Sequence, residues 1–280
     1  MSDPRLAARP IQDLRVGVAG LGLIGASIGL GLRQAGVRVL GFDPDDVARS
    51  VARDRGAADR LCDGPRELSA SVDVLFLAAP PSANVRMLED LAGAPATLLI
   101  TDTGSVKRAI CATGARLFAA RGGARFVGGH PMAGSESSGP AAARADLFAG
   151  APWYLCAPAG PLPELEPLVD ALGAVTFRAD PDAHDRMAAS LSHLPQLLAW
   201  LLRNDWGREG LVPAQGGPVA RELARLARSS PGLWADILTA NRDHVAAALR
   251  RVAGGAAALA DCFDDPDPER ALRALEDLCP

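Results

Sequence analysis

Few side chains in this sequence have both the type and the setting for proton chemistry. His130 lies in the run Gly128-Gly129-His130-Pro131-Met132-Ala133-Gly134-Ser135-Glu136-Ser137-Ser138-Gly139, and Ser105 and Lys107 lie in Thr101-Asp102-Thr103-Gly104-Ser105-Val106-Lys107. An imidazole titrates at about 6.5 when unperturbed, so His130 can take a proton from a hydroxyl at neutral pH. Oxidation of an alcohol by hydride transfer needs such a base, because the O–H proton must leave as the hydride does. Ser105 can hold the same hydroxyl, orient the imidazole or cap the following helix. Lys107 is the only lysine in the chain, and it reads either as a surface cation or as part of this cluster. His184 and His244 read as surface residues, and His193 as a core histidine or a functional one.

A second constellation binds rather than reacts. Gly20-Leu21-Gly22-Leu23-Ile24-Gly25 follows an apolar run and opens a helical pattern. In that context Gly20 permits a tight turn, Gly22 lets backbone approach a pyrophosphate, and Gly25 lets helix and strand pack closely. The free N–H groups at Leu23 and Ile24 then face the phosphates at the positive end of the helix. Asp43 ends the next apolar run. A carboxylate there accepts from ribose hydroxyls and repels a 2′-phosphate, which favours NAD over NADP. Ala79 and Pro80, at the end of a later run, either cover the cofactor or simply start a loop.

The elements that must position these residues follow from patterning. Short, continuously apolar runs at 15–19, 37–42, 72–79, 97–101 and 125–128 alternate with helical segments, as buried parallel strands do. Runs at 153–157 and 174–177 add two more strands. Beyond Asp180 the texture is helical, with Met187, Leu191, Leu194 and Leu198 as an expected buried stripe and Pro195 as an expected kink. The expected fold is therefore an α/β Rossmann domain with a doubly wound, mostly parallel sheet over 1–178, followed by an all-α domain over 179–280. Both chemical segments fall at carboxyl ends of strands, where such sheets bind ligands.

Composition narrows the function classes. A net charge of −4 without a basic run leaves no footprint for nucleic acid or an anionic membrane. The stretch Val16–Leu32 is apolar but too short and too rich in glycine for a membrane span. Five cysteines without a CxxC pair argue against a zinc site or a disulfide framework, and no metal is expected. The first ten residues lack an apolar signal region, so the expected location is the cytoplasm.

Four segments, Gly20–Ser27, Asp102–Lys107, Gly128–Gly139 and Leu191-Ser192-His193-Leu194-Pro195-Gln196, resemble in order and spacing the prephenate/arogenate dehydrogenase family of tyrosine biosynthesis. The resemblance implies NAD as cofactor, His130 as the catalytic histidine at the substrate's ring hydroxyl and Ser105 as its companion. It places Ser135 and Glu136 at the substrate entrance, Ser192 and Gln196 on a substrate-facing helix, and Arg225 on a substrate carboxylate. Arg221 and Glu222 form a charged pair at the pocket mouth, and the helical domain makes a homodimer. Family members that prefer prephenate often carry histidine where this chain has Gln196. The implied reaction is oxidative decarboxylation of prephenate, with arogenate or dual specificity as the alternative. A β-hydroxyacid dehydrogenase is the more distant reading, and the lack of any lysine after Lys107 opposes it. An NAD-binding sensor is the non-enzymatic one.

Overall fold

The structure is a computed structural model and describes residues 9–118, 125–135, 137–157, 160 and 162–279. Strands and helices alternate from the start. They run β1 (Arg15–Ala19), α1 (Leu23–Gln34), β2 (Arg38–Phe42), α2 (Asp46–Asp54), β3 (Arg60–Leu61), α3 (Pro65–Ser71), β4 (Val74–Leu77) and α4 (Pro81–Asp90). The sheet continues with β5 (Leu99–Asp102), α5 (Arg108–Phe118), β6 (Arg125–Pro131), β7 (Pro152–Cys156), α6 (Glu166–Ala171) and β8 (Val175–Arg178). The eight strands lie in the order β3-β2-β1-β4-β5-β6-β7-β8. All neighbours are parallel except β6 and β7, which run antiparallel with Gly128 opposite Cys156 and His130 opposite Tyr154.

The central strands β4 and β5 are buried along their whole length, because helices cover both faces of the sheet. Trp153 is fully buried and meets Phe76 edge-on and Phe148 at a tilt, so β7 is pinned to the core between β4 and the loop before it. The two-residue β3 escapes sequence reading since it is too short to show a period and begins on Arg60. From β1 the chain winds outward through β2 to β3, and β4 then returns to the other side of β1. That reversal opens a crevice at the carboxyl ends of β1 and β4.

The rest of the chain is helical: α7 (Pro181–Ala188), α8 (Leu194–Arg208), α9 (Pro218–Leu226), α10 (Pro231–Ala240), α11 (Arg242–Asp264) and α12 (Pro268–Leu278). Between α7 and α8 lies one π-helical turn, Ala189–His193, in which the Leu194 N–H reaches back to the Ala189 carbonyl. The turn admits Pro195 without a break, since the wider helix absorbs the missing donor. The expected leucine stripe is not the buried face. Leu191 is 70% exposed, while His184, Asp185, Ala188, Ala189, His193, Gln196 and Ala199 are buried. The reason is what the helices pack against: α7 lies on the start of α5, where polar partners await. Helix α11 spans 23 residues and buries only Val245 and Ala248. Among the described residues, no helix is long and apolar enough to cross a membrane.

Candidate active site

The glycine turn is built as its sequence requires. Gly20 has φ +98°, and a Cβ there would lie 2.5 Å from the Ala78 carbonyl oxygen. A Cβ on Gly25 would lie 1.8 Å from the Gly20 oxygen, so helix α1 closes on β1 only because that side chain is absent. Gly22, the N-cap of α1, has open space where its Cβ would be. Among the described residues the N–H groups of Leu23 and Ile24 have no protein acceptor. The turn therefore presents free donors to an open surface, which is what a pyrophosphate needs. Asp43 stands just past β2 and accepts from the Leu21 N–H at 2.7 Å and the Asp45 N–H at 2.9 Å. It braces the glycine turn from the end of β2. Ala79 follows β4 and donates to Asn84 Oδ1 at 3.0 Å; Pro80 caps α4.

His130 lies within β6 rather than in the loop after it, because pairing with β7 carries the strand on to Pro131. His130 is 7% exposed, and its Nδ1 lies 2.9 Å from Nε2 of His184. Nδ1 of His184 lies 2.9 Å from Asp185 Oδ1. His184 is thus buried at 1% and not a surface residue, because α7 docks on β6 and β7 through it. The hydrogen bonds fix the tautomers by elimination. Asp185 accepts only, so His184 Nδ1 carries its hydrogen and Nε2 accepts. His130 must then donate from Nδ1, which leaves its Nε2 as a lone-pair base. Burial first, then the fields of His184, Lys107 and His193, hold the His130 pKa well below the ordinary imidazole value. Burial works against charge on Asp185, but the His184 ring and the Arg108 and Lys107 N–H groups outweigh it and hold the carboxyl below its usual range. Those N–H groups, at 2.9 and 2.7 Å, open α5, so Asp185 also caps that helix from the helical domain.

Lys107 is fully buried and is not a surface cation. Its ammonium pairs with Asp102 and donates to the Gly129 carbonyl at 2.6 Å. Ser105 sits half-buried on the turn between β5 and α5, one residue after Gly104, whose N–H meets Asp102 Oδ2 at 2.8 Å. Among the described residues no hydrogen bond joins Ser105 to His130.

The other expected site residues are placed less directly. Ser192 is half-buried on the π turn, and Ser135 follows β6 and accepts from the Ser137 N–H at 3.1 Å. Glu136 lies outside the described residues. Gln196 is 4% exposed, and its amide is already engaged, donating to the Leu226 carbonyl at 2.9 Å and accepting from Ser229 Oγ at 3.3 Å. It ties α8 to the end of α9. Arg225 pairs with Glu222 one turn away at 2.6 Å, whereas exposed Arg221 donates to the Gly216 carbonyl at 3.2 Å, so Glu222 partners Arg225 and not Arg221. His193 is buried, lies 3.3 Å from Asn241 Nδ2, and meets Trp234 edge-on at 5.9 Å. His244 is half-buried on Asp182 at 2.9 Å rather than free on the surface. Asp236 of α10 accepts from the Ser82 N–H at 3.0 Å, which joins the start of α4 to the helical domain. A cavity of about 1280 Å³ between α5 and the Arg178–Asp182 segment contains none of these catalytic candidates.

Sequence reading missed His184, Asp185 and Asp102. The adjacent His-Asp pair and the acid closing β5 were the available signals, but only the packing of α7 on α5 shows that they converge.

Two family models match: prephenate dehydrogenase, nucleotide-binding domain, over residues 28–174, and prephenate dehydrogenase, dimerization domain, over residues 180–277. The chain belongs to the prephenate dehydrogenase family. A prephenate dehydrogenase of Bacillus subtilis (strain 168) is 35% identical over 243 residues, covering 81% of this chain. The chain spans 64% of that relative's length. The crystal structure of Synechocystis arogenate dehydrogenase is 26% identical, covers 94% of this chain and 96% of its own, and superposes with a TM-score of 0.76. In fold, the chain is also similar to the Aquifex aeolicus prephenate dehydrogenase solved with hydroxyphenyl propionate and NAD+. There the TM-score is 0.83 at 24% identity, over 94% of this chain and 95% of that one.

Proposed function

We propose that this chain catalyses the NAD-dependent oxidative decarboxylation of prephenate to 4-hydroxyphenylpyruvate. Arogenate, which would give tyrosine, is the second substrate to test. The observation that carries the reading is the buried His130–His184–Asp185 line at the carboxyl end of β6, in the same sheet as the open glycine turn. NAD, held at the Leu23 and Ile24 N–H groups and Asp43, would supply the acceptor for the hydride of the ring carbon. His130 Nε2 takes the proton of the ring hydroxyl, and the growing positive charge is stabilised through His184 by the Asp185 carboxylate. Ser105 holds the same hydroxyl. Loss of carbon dioxide makes the ring aromatic and supplies the driving force, so the protein mainly positions and deprotonates. Arg225, whose Nε and Nη2 hold Glu222 in this structure, exchanges that partner for a substrate carboxylate, with Ser135, Glu136, Ser192 and Arg221 around the entrance.

The free donors at Leu23 and Ile24, the open space at Gly22 and the acid at Asp43 support NAD as the dinucleotide held. The change from strand to helix between β8 and α7 supports a domain division at 178/179. The helical part forms a homodimer: Leu201, Leu202, Val252, Phe263, Leu272, Leu275 and Leu278 are exposed on α8, α11 and α12, an apolar surface that a second copy would cover. Five free cysteines fit a reducing cytoplasm.

The test follows NADH absorbance with purified protein, NAD, and prephenate or arogenate added separately. Turnover with prephenate is expected. Intact NAD binding without turnover on either substrate would overturn the assignment and favour a sensor. Light scattering checks the dimer, with a monomer at micromolar concentration as the contrary result.

A further inference from the structure

The ladder between β5 and β6 pairs Leu99 with Arg125, Ile100 with Phe126 and Thr101 with Val127, and stops there. Past Val127 the ladder does not continue on the β5 side, and Gly129 pairs with Leu155 of β7. Two side chains take over. Asp102 Oδ1 accepts from the Gly129 N–H at 3.0 Å, and Lys107 Nζ donates to the Gly129 carbonyl at 2.6 Å. Asp102 and Lys107 pair with each other, and both are essentially fully buried. The other carboxylate oxygen of Asp102 accepts from the Gly104 N–H at 2.8 Å. The backbone N–H of Lys107 donates to Asp185 Oδ1 at 2.7 Å, the same oxygen that meets His184.

One ion pair therefore grips the residue before His130 on both of its backbone groups and the residue before Ser105 on its N–H, while the backbone of Lys107 meets the carboxylate that ends the histidine line. Gly129 admits no side chain in this arrangement, since a Cβ would lie 2.4 Å from the Asp102 carbonyl oxygen. A buried ion pair is weak evidence for stability, because desolvation of both charges offsets much of their attraction. Its partners here point to alignment.

We infer that Asp102 and Lys107 are positioning residues, a clamp that replaces the missing β ladder and holds His130 and Ser105 in register with His184 and Asp185. The inference rests on His130 as the base of the proposed reaction. The clamp touches no reacting atom; its side chains act through Gly129 and Gly104. Misplacement of a catalytic group by about 1 Å can cost on the order of 100-fold in rate.

The experiment compares wild type, Lys107→Met and the charge-neutral double variant Asp102→Asn/Lys107→Met. Three properties are measured: melting temperature, NAD affinity by fluorescence titration, and kcat and KM separately. The same proteins, labelled with 15N-histidine, are examined by NMR for the imidazole N–H that joins His130 to His184. In Lys107→Met, Asp102 is left buried and unpaired, and the melting temperature falls. The double variant recovers much of that loss. In both, kcat drops about 10- to 100-fold, NAD affinity stays within about twofold, and the imidazole N–H signal shifts or vanishes. A folded double variant with wild-type kcat overturns the inference, as does a loss of kcat with an unchanged imidazole signal. If wild type turns over neither substrate, the proposed reaction fails, and the NMR comparison alone decides whether the clamp aligns the histidines.

Discussion

His130 and His184 meet nitrogen to nitrogen at 2.9 Å, and only one of the two nitrogens can carry the shared hydrogen. Because Asp185 claims the hydrogen on the far side of His184, the shared one belongs to His130. The lone pair that the proposed reaction needs is thereby set at His130 Nε2. His184→Asn removes the link to Asp185 and lets the His130 ring choose either tautomer. Its kcat is expected to fall about 10- to 100-fold with NAD affinity intact, whereas His130→Asn loses most turnover. Steady-state kinetics with NAD titrations check both, and an unchanged kcat in His184→Asn would remove the relay from the mechanism.

Burial and the neighbouring cation keep His130 neutral below the usual imidazole range. A base with a depressed pKa stays competent to lower pH. The acid limb of kcat/KM is therefore expected below the ordinary value of about 6.5. A limb inflecting at or above that value would point to a different group.

Gly22 and Gly25 should respond oppositely to alanine. A methyl at Gly25 meets the Gly20 carbonyl at 1.8 Å, so Gly25→Ala must push α1 off β1 and lower the melting temperature by several degrees. A methyl at Gly22 meets no protein atom within 4 Å but enters the space where a pyrophosphate would lie. Gly22→Ala is expected to melt like wild type and to weaken NAD binding at least tenfold. Equal NAD affinity in Gly22→Ala would place the dinucleotide elsewhere.

His193 is fully buried, and burial pushes its pKa down to about 4. The unfolded chain, with its imidazole at about 6.5, then binds the proton more readily than the folded one. Stability from this group is complete above about 6.5 and is lost as pH falls toward 4, by up to about 3 kcal/mol. His130 has the same sign. Denaturant midpoints at pH 7.5 and 4.5 should differ less in His193→Asn than in wild type; an equal difference would show that His193 is not the group titrating.

Arg225→Ala is expected to raise the KM for prephenate tenfold or more with a smaller change in kcat, since a carboxylate contact serves ground and transition states alike. A normal KM would move the carboxylate site to another residue.

Much of this protein was legible in its residues. The glycine turn, Asp43, and the strands of the α/β half announce themselves through short-range rules: Cβ clashes, helix N-termini, and continuous apolar runs in strands buried on both faces. The HPMAGS segment marked His130, and the family followed from motif order. Other features depend on which elements touch. Leu191 fits a helical stripe yet faces outward, because α7 and the π turn spend their buried side on His184, Asp185 and His193. Gln196 aligns with a substrate position yet is held by Leu226 and Ser229. Lys107 and Asp102, five residues apart in sequence, pair across the turn between β5 and α5, and their hold on Gly129 exists only where β6 leaves β5 for β7. Periodicity reports which faces are apolar, and it is silent on where polar groups find each other. That is decided by the tertiary packing, because a buried charge or imidazole is tolerated only opposite its partner.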